Sequence, residues 1–163
     1  VATSGVRLVP ESAMQAICAR LLPLATLITP NLPEAEALCG GVVGDPNARR
    51  AGNAAHAEEL ARQIHETYGC SVLVKGGHGA ESSAVDVLFD GNEVRTFALP
   101  WVSDPVSTHG TGCSLAAALA AELARGHSAS EAVAGAKRYV HAAIEGSYWV
   151  GPDCGVLGFV HDL

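Results

Sequence analysis

NAAHAEELARQIHETYGCSVLVKGG, Asn53–Gly77, decides the fold. Ala57, Leu60, Ala61, Ile64 and Tyr68 recur at three- and four-residue spacing, which predicts an amphipathic helix from about Asn53. Gly69 stops that helix. Ser71–Lys75 follows as a β-branched run ending in Gly76-Gly77. A strand with no polar alternation is buried on both faces, and such a strand beside a helix belongs to a layered α/β sheet.

The same grammar extends in both directions. Upstream, Pro10 opens a helix with Met14, Ile17, Cys18, Leu21 and Leu22 on one face. Ala25–Thr29 reads as a short buried strand running into Pro30. Pro33 suits the first turn of a further helix that closes at Gly40, and Val42–Gly52 reads as a loop. Downstream, Val85–Phe89 and Val94–Leu99 flank Asp90-Gly91-Asn92, a hairpin signal. Ser103–His109 is a loop. A helix is expected from about Gly110 to Gly126, with Leu115, Leu119 and Leu123 in register. Another is expected over Ser130–Gly146, with Val133, Ala136, Tyr139, Val140 and Ala143 inward. Leu157–Val160 is a candidate last strand. Strands alternating with helices predict α/β with a mostly parallel sheet.

Composition narrows the function classes. Of 163 residues, 48% are apolar and only 17% charged, with a net charge of −7. No Lys/Arg run provides the electrostatic footprint that nucleic acid binding needs. The apolar runs are too short and broken to span a bilayer, and no N-terminal stretch reads as a secretion signal. Five cysteines, Cys18, Cys39, Cys70, Cys113 and Cys154, form no CxxC pair. Reduced thiols in a cytoplasmic protein are the simplest reading. The scattered histidines never join Cys at zinc-ligand spacing.

Three short motifs carry chemistry. The first is Thr108-His109-Gly110-Thr111-Gly112-Cys113 at the mouth of an amphipathic helix. Glycines let the backbone approach a ligand, and the N–H groups of a helix start attract an anion. The turn therefore suits a phosphate whose charge shifts during transfer. Cys113 falls at the helix N-terminus, a position that favours thiolate over thiol and suits a base accepting a hydroxyl proton. The plainer reading is a glycine-rich helix entry with a structural Cys. The Walker A spacing is absent.

The second motif is Thr29-Pro30-Asn31-Leu32-Pro33-Glu34. Glu34, directly or through water, suits Mg²⁺, and Asn31 suits a phosphate or water beside it. The plainer reading has Asn31 capping the helix and Glu34 pairing with its dipole. The third is Val74-Lys75-Gly76-Gly77-His78 at a strand end, where ligands gather in open α/β sheets. Lys75 suits a nucleotide phosphate, and a solvated lysine is the plainer reading. Together the motifs supply an oxygen ligand, a cation and an anion cradle, the parts that phosphoryl transfer needs.

At these residues a family emerges. ITPNLPEAEAL (Ile28–Leu38), VLVKGGH (Val72–His78) and STHGTGCSLAAALAAELARG (Ser107–Gly126) resemble the hydroxymethylpyrimidine/phosphomethylpyrimidine kinases of the ribokinase-like superfamily. The resemblance runs from about Val1 to the C-terminus. Most ribokinase-like enzymes carry Asp where this chain has Cys113. Cys there is similar to the hydroxymethylpyrimidine kinases and a related group of pyridoxal kinases.

The resemblance implies a three-layer α/β/α fold of which residues 1–163 are the C-terminal, nucleotide-binding part of one kinase domain. It implies ATP and Mg²⁺ as cofactors, and transfer to hydroxymethylpyrimidine and then to its monophosphate in thiamine biosynthesis. By that resemblance Gly110, Thr111, Gly112 and Cys113 form the anion hole, with Cys113 as base. Asn31 and Glu34 match the magnesium and phosphate motif, and Lys75 the lysine near the ATP phosphates. Residues from about Pro100 to Thr108 and the two following helices shape the adenine pocket.

VATSG (Val1–Gly5) resembles the stretch after an Asp-Pro-Val-Met segment midway along such kinases, so the N-terminal half with most of the pyrimidine pocket is expected to be absent here. Asp104-Pro105-Val106-Ser107 departs from the family's usual wording before the glycine turn. The alternatives are pyridoxal kinase of the same superfamily and a truncated, non-catalytic nucleotide-binding module. The resemblance also implies a homodimer, and a fusion to a thiamine phosphate synthase domain stays open.

Overall fold

Val72, Leu73 and Val74 are fully buried at the centre of a four-stranded sheet. The computed structural model describes residues 10–40, 54–76 and 83–159. These fall into two compact units that divide between Ala98 and Leu99.

The first unit holds the sheet, in strand order β1 (Leu27–Ile28), β2 (Ser71–Lys75), β3 (Ser83–Phe89) and β4 (Val94–Pro100). β1 and β2 are parallel, with Leu27 opposite Ser71 and Ile28 opposite Val72. β2 and β3 are antiparallel, with Val74 opposite Val87 and Lys75 opposite Asp86. The described sheet is thus mixed, where the pattern of alternating elements predicts mostly parallel pairing. The segment between Lys75 and Ser83 is too short to hold a crossover helix, so β3 has to return beside β2.

Asp90–Glu93 then turns the chain into β4, as the Asp-Gly-Asn signal predicts. The Asn92 and Glu93 N–H groups donate to Asp90 Oδ1 at 2.9 and 3.0 Å. Gly91 occupies the left-handed region at φ 99°.

Helix α3 (Ala54–Tyr68) buries Ala57, Leu60, Ala61 and Ile64 of the stripe read from the sequence, while Tyr68, its last member, is half-buried. They pack with Val72, Val74, Val87 and Phe89 in one core cluster. Alternation along β2 and β3 sends Leu73 and Leu88 to the opposite sheet face, and both are buried as well. That double burial is why β2 shows no polar alternation. Helix α1 (Glu11–Arg20) starts after Pro10, as expected, but none of its residues is fully buried. Met14, Ile17, Cys18 and Leu22 are half-buried, while Leu21 lies 59% exposed. Helix α2 (Leu32–Leu38) turns only Ala35 fully inward. The predicted loop Val42–Gly52 lies outside the described residues.

The second unit is built on α4 (Thr111–Ala124) and α5 (Ala129–Glu145), which pack against each other. Leu115 and Leu119 of α4 and Ala132, Val133, Ala136, Val140 and Ala143 of α5 form the buried faces. Tyr139, expected inward, is 43% exposed. It stacks on Phe159 at a ring separation of 5.5 Å, and Ala132 is a further buried residue of α5. Ser128 and Glu131 close a capping box at the start of α5. A hairpin of β5 (Tyr148–Gly151) and β6 (Cys154–Val156) follows. The strand expected over Leu157–Val160 is therefore shifted upstream, and Leu157–Phe159 is not a strand. The aromatic run Tyr148-Trp149 and the Pro152-Asp153 turn were the signals for that hairpin.

Two measurements check this packing. Ile64→Ala empties a site that is 1% exposed and should lower unfolding stability by about 2–5 kcal/mol in urea titration. The Glu93 and Asn92 N–H groups hold the Asp90 carboxyl below its usual value. A depressed folded-state value stabilises the fold above the unfolded carboxyl range and loses that contribution as pH falls through the folded value. Asp90→Asn should therefore flatten the acid limb of a stability-versus-pH curve below about pH 4.

Candidate functional site

Each sequence motif lies at the end of a strand or the start of a helix, and the two units carry separate groups. In the first unit, pairing of β1 with β2 continues beyond the strands. The Lys75 N–H donates to the Pro30 carbonyl at 2.9 Å, and Asn31 and Lys75 form a parallel bridge. That bridge brings the second and third motifs together.

Asn31 is the N-cap of α2. The Glu34 N–H donates to Asn31 Oδ1 at 2.9 Å, and the Asn31 N–H donates to Glu34 Oε2 at 2.9 Å. The capping role weighed from the sequence is therefore realised, in its reciprocal form. The box holds the Glu34 carboxylate rigidly at the helix start. Beside it, a cavity of about 240 Å³ opens between α1, β1 and α2. Its wall is apolar through Met14, Ile17, Ile28 and Leu38, apart from Thr29 and Glu34.

The donor chemistry fits Mg²⁺. This ion takes one or two protein carboxylates and completes its shell with water and substrate phosphate. Glu34 offers a fixed hard-oxygen ligand beside Asn31 and Lys75. Among the described residues no group of three or more His, Cys, Asp or Glu side chains gathers as an all-protein metal cage. His78 lies outside the described residues, as does Gly77.

In the second unit, Thr108–Cys113 forms the mouth of α4. Gly110 is the N-cap and adopts φ 88°, a left-handed conformation that costs a side chain about 1 kcal/mol or more. The requirement for glycine there is therefore conformational. The Thr111 N–H makes a long 3.4 Å contact with the Thr108 carbonyl, and Ser114 caps back to the Gly110 carbonyl. Among the described residues, the Gly112 and Cys113 N–H groups meet no acceptor. They point out of the helix start, as first-turn donors do. Cys113 and Thr108 are exposed.

The loop before this mouth is tied down at two points. His141 Nε2 meets the Pro100 carbonyl at 3.0 Å, and the Val106 N–H donates to Ser147 Oγ at 3.0 Å. Asp104, in the stretch that departs from the family wording, sits at φ 49°. Asp is among the few residues that tolerate this region.

One buried charge escaped the sequence reading. Asp86 stands opposite Lys75 in the β-ladder and is the only buried charged side chain among the described residues. The available signal was an Asp interrupting the apolar run Val85–Phe89.

Comparisons with known proteins identify the fold and the family. The architecture is that of the ribokinase-like α/β kinases. It is similar to a Bacillus subtilis pyridoxal kinase solved as an ADP complex, with TM-score 0.79 and 34% identity over 93% of this chain and 56% of that one. It is also similar to phosphomethylpyrimidine kinase from Clostridium difficile, with TM-score 0.69 and 30% identity over 88% of this chain and 54% of that one. The phosphomethylpyrimidine kinase family model matches residues 1–157, and the chain belongs to that family.

Among curated relatives, the thiamine biosynthesis bifunctional protein ThiED of Geobacter sulfurreducens is 43% identical over 88% of this chain and 28% of its own length. The hydroxymethylpyrimidine/phosphomethylpyrimidine kinase of Rhizobium meliloti is 42% identical over 88% of this chain and 51% of its own. The chain thus spans about half the length, or less, of the curated relatives it matches. No helix among the described residues is long and apolar enough to cross a membrane.

Thiol accessibility separates the cysteines. Cys113 and Cys154 are exposed, whereas Cys70 is buried, and burial pushes its thiol up. In the native protein a thiol reagent followed by peptide mass mapping should label Cys113 and Cys154 first, and Cys70 only on unfolding.

Proposed function

We propose that the protein containing this chain transfers the γ-phosphoryl group of ATP to hydroxymethylpyrimidine, and then to the monophosphate, within thiamine biosynthesis. Residues 1–163 act as the nucleotide-binding part of a single kinase domain. The observation that carries this reading is the mouth of α4: a left-handed Gly110 followed by outward Gly112 and Cys113 N–H groups, with the Cys113 thiol on the same turn.

Each part has a task. The Thr111, Gly112 and Cys113 amides, with Gly110 shaping the turn, bind the phosphoryl oxygens as negative charge builds on them. Thr108 lines the nucleotide side of this turn. Cys113, as thiolate, takes the proton from the hydroxymethyl group. The freed oxygen forms a bond to the γ-phosphorus while the bond to the β–γ bridging oxygen breaks, and ADP leaves. In the second reaction a phosphate oxygen of the monophosphate attacks in the same way. Lys75 neutralises the nucleotide phosphates as a point charge. Glu34 and Asn31 would hold Mg²⁺, and the ion would supply charge neutralisation on the phosphates. A homodimer in the cytoplasm is the assembly and place we assign to it.

Pyridoxal phosphorylation is a second reading, favoured by one observation: pyridoxal kinases give the higher TM-scores, 0.79 and 0.78 against 0.69. A nucleotide-binding module without transfer activity is the third.

Coupled ADP-release assays on the intact protein with ATP and Mg²⁺ separate these readings. Turnover with hydroxymethylpyrimidine well above that with pyridoxal is the expected result. The reverse ranking assigns a pyridoxal kinase, and nucleotide binding without transfer to either alcohol assigns the module. Cys113→Ala should lower kcat by about 10²–10⁴, the range of a lost general base, with an unchanged thermal melt. Unaltered turnover would remove Cys113 from the chemistry.

A further inference from the structure

Lys75 stands opposite Asp86 in the β2–β3 register, and that placement reaches beyond the three motifs. Asp86 is 7% exposed and lies in a run with buried Val87, Leu88 and Phe89. A carboxylate in such surroundings is costly unless hydrogen bonds and an opposite charge compensate it. Its Oδ1 accepts the Gly76 N–H at 3.1 Å. Gly76 is the residue where the chain leaves β2, immediately after Lys75.

In an antiparallel ladder, residues directly opposite project to the same sheet face with Cβ atoms about 4.5–5.5 Å apart. Lys75 and Asp86 are such a pair. They share the face of Leu73 and Leu88, away from the α3 core. The exit of β2 is also sterically fixed. A Cβ on Gly76 would lie 2.0 Å from the Val85 carbonyl oxygen, so this backbone runs against β3 with no room for a side chain. On its other side, the Lys75 N–H is held by Pro30.

A lysine ammonium sits on a flexible stem with several rotatable bonds. Backbone restraint alone does not aim it. We propose that Asp86 is a positioning residue for nucleotide binding, anchoring the turn at Gly76 through its Oδ1 and orienting the Lys75 ammonium through its charge on the shared face. This rests on the reading of Lys75 as a nucleotide-phosphate ligand. Asp86 itself touches no substrate.

The test is a double-mutant cycle on the affinity of the intact protein for ATP with Mg²⁺, measured by calorimetry on wild type, Asp86→Asn, Lys75→Ala and the double variant. Asn keeps the shape and an oxygen acceptor for Gly76 but removes the charge. Asp86→Asn is expected to weaken binding about tenfold, which is about 1.4 kcal/mol. Lys75→Ala is expected to weaken it at least as much, and the double variant to match Lys75→Ala within about twofold, because coupled residues do not add. Cooperative melts of the single variants confirm that folded proteins are compared.

A wild-type protein with no nucleotide affinity sinks the kinase reading, and this inference with it. In a protein that binds nucleotide, additive losses, or unchanged affinity in Asp86→Asn, overturn this inference alone. An Asp86→Asn chain that fails to fold beside a folded Lys75→Ala chain marks Asp86 as a structural acid and overturns it too.

Discussion

The hydrogen bond from the Lys75 N–H to the Pro30 carbonyl prolongs β1–β2 pairing past the end of both strands, and the candidate groups of the first unit hang on it. β1 is only Leu27–Ile28, too short to fix its neighbours through burial alone. Without the bridge, the start of α2 and the exit of β2 would be independent loop ends. With it, a capped carboxylate and a cation occupy adjacent segments. The buried triplet Val72–Val74 supplies the rigidity behind that placement, because it packs on both sheet faces.

Much of this was legible in the residues. The α3 stripe, the β2 run and the hairpin at Asp90 are local signals, and local signals survive folding when nothing competes with them. The three motifs were legible for a similar reason: glycine, proline and asparagine at element boundaries have few conformations to choose from. Gly110 at φ 88° is the plainest case.

Other features depend on what lies across space, and there the one-dimensional pattern fails. Helical spacing placed Tyr139 on the inner face of α5, yet its partner Phe159 comes from a segment beyond β6. The direction of β3 followed from the length of a connection rather than from its own residues. Asp86 was invisible for the most instructive reason. A charge inside an apolar strand reads as an irregularity until the register shows which residue stands opposite. The strand expectation failed over Leu157–Phe159, the described part of Leu157–Val160, because apolar character alone does not distinguish a strand from a coil segment laid over a core. Leu157 is buried without being in a ladder.

The reciprocal cap on α2 has a thermodynamic corollary. Glu34 completes the first turn of its own helix by accepting the Asn31 N–H. A divalent ion drawing on that carboxylate competes with the backbone donor for the same electron density. Occupancy at the ion and tightness of the helix opening are therefore linked quantities, and each sets part of the other's free energy. A seven-residue helix has little cooperative reserve with which to hide such a change. On the proposed role of Glu34 as an ion ligand, amide exchange at Asn31 would be a local gauge of metal binding.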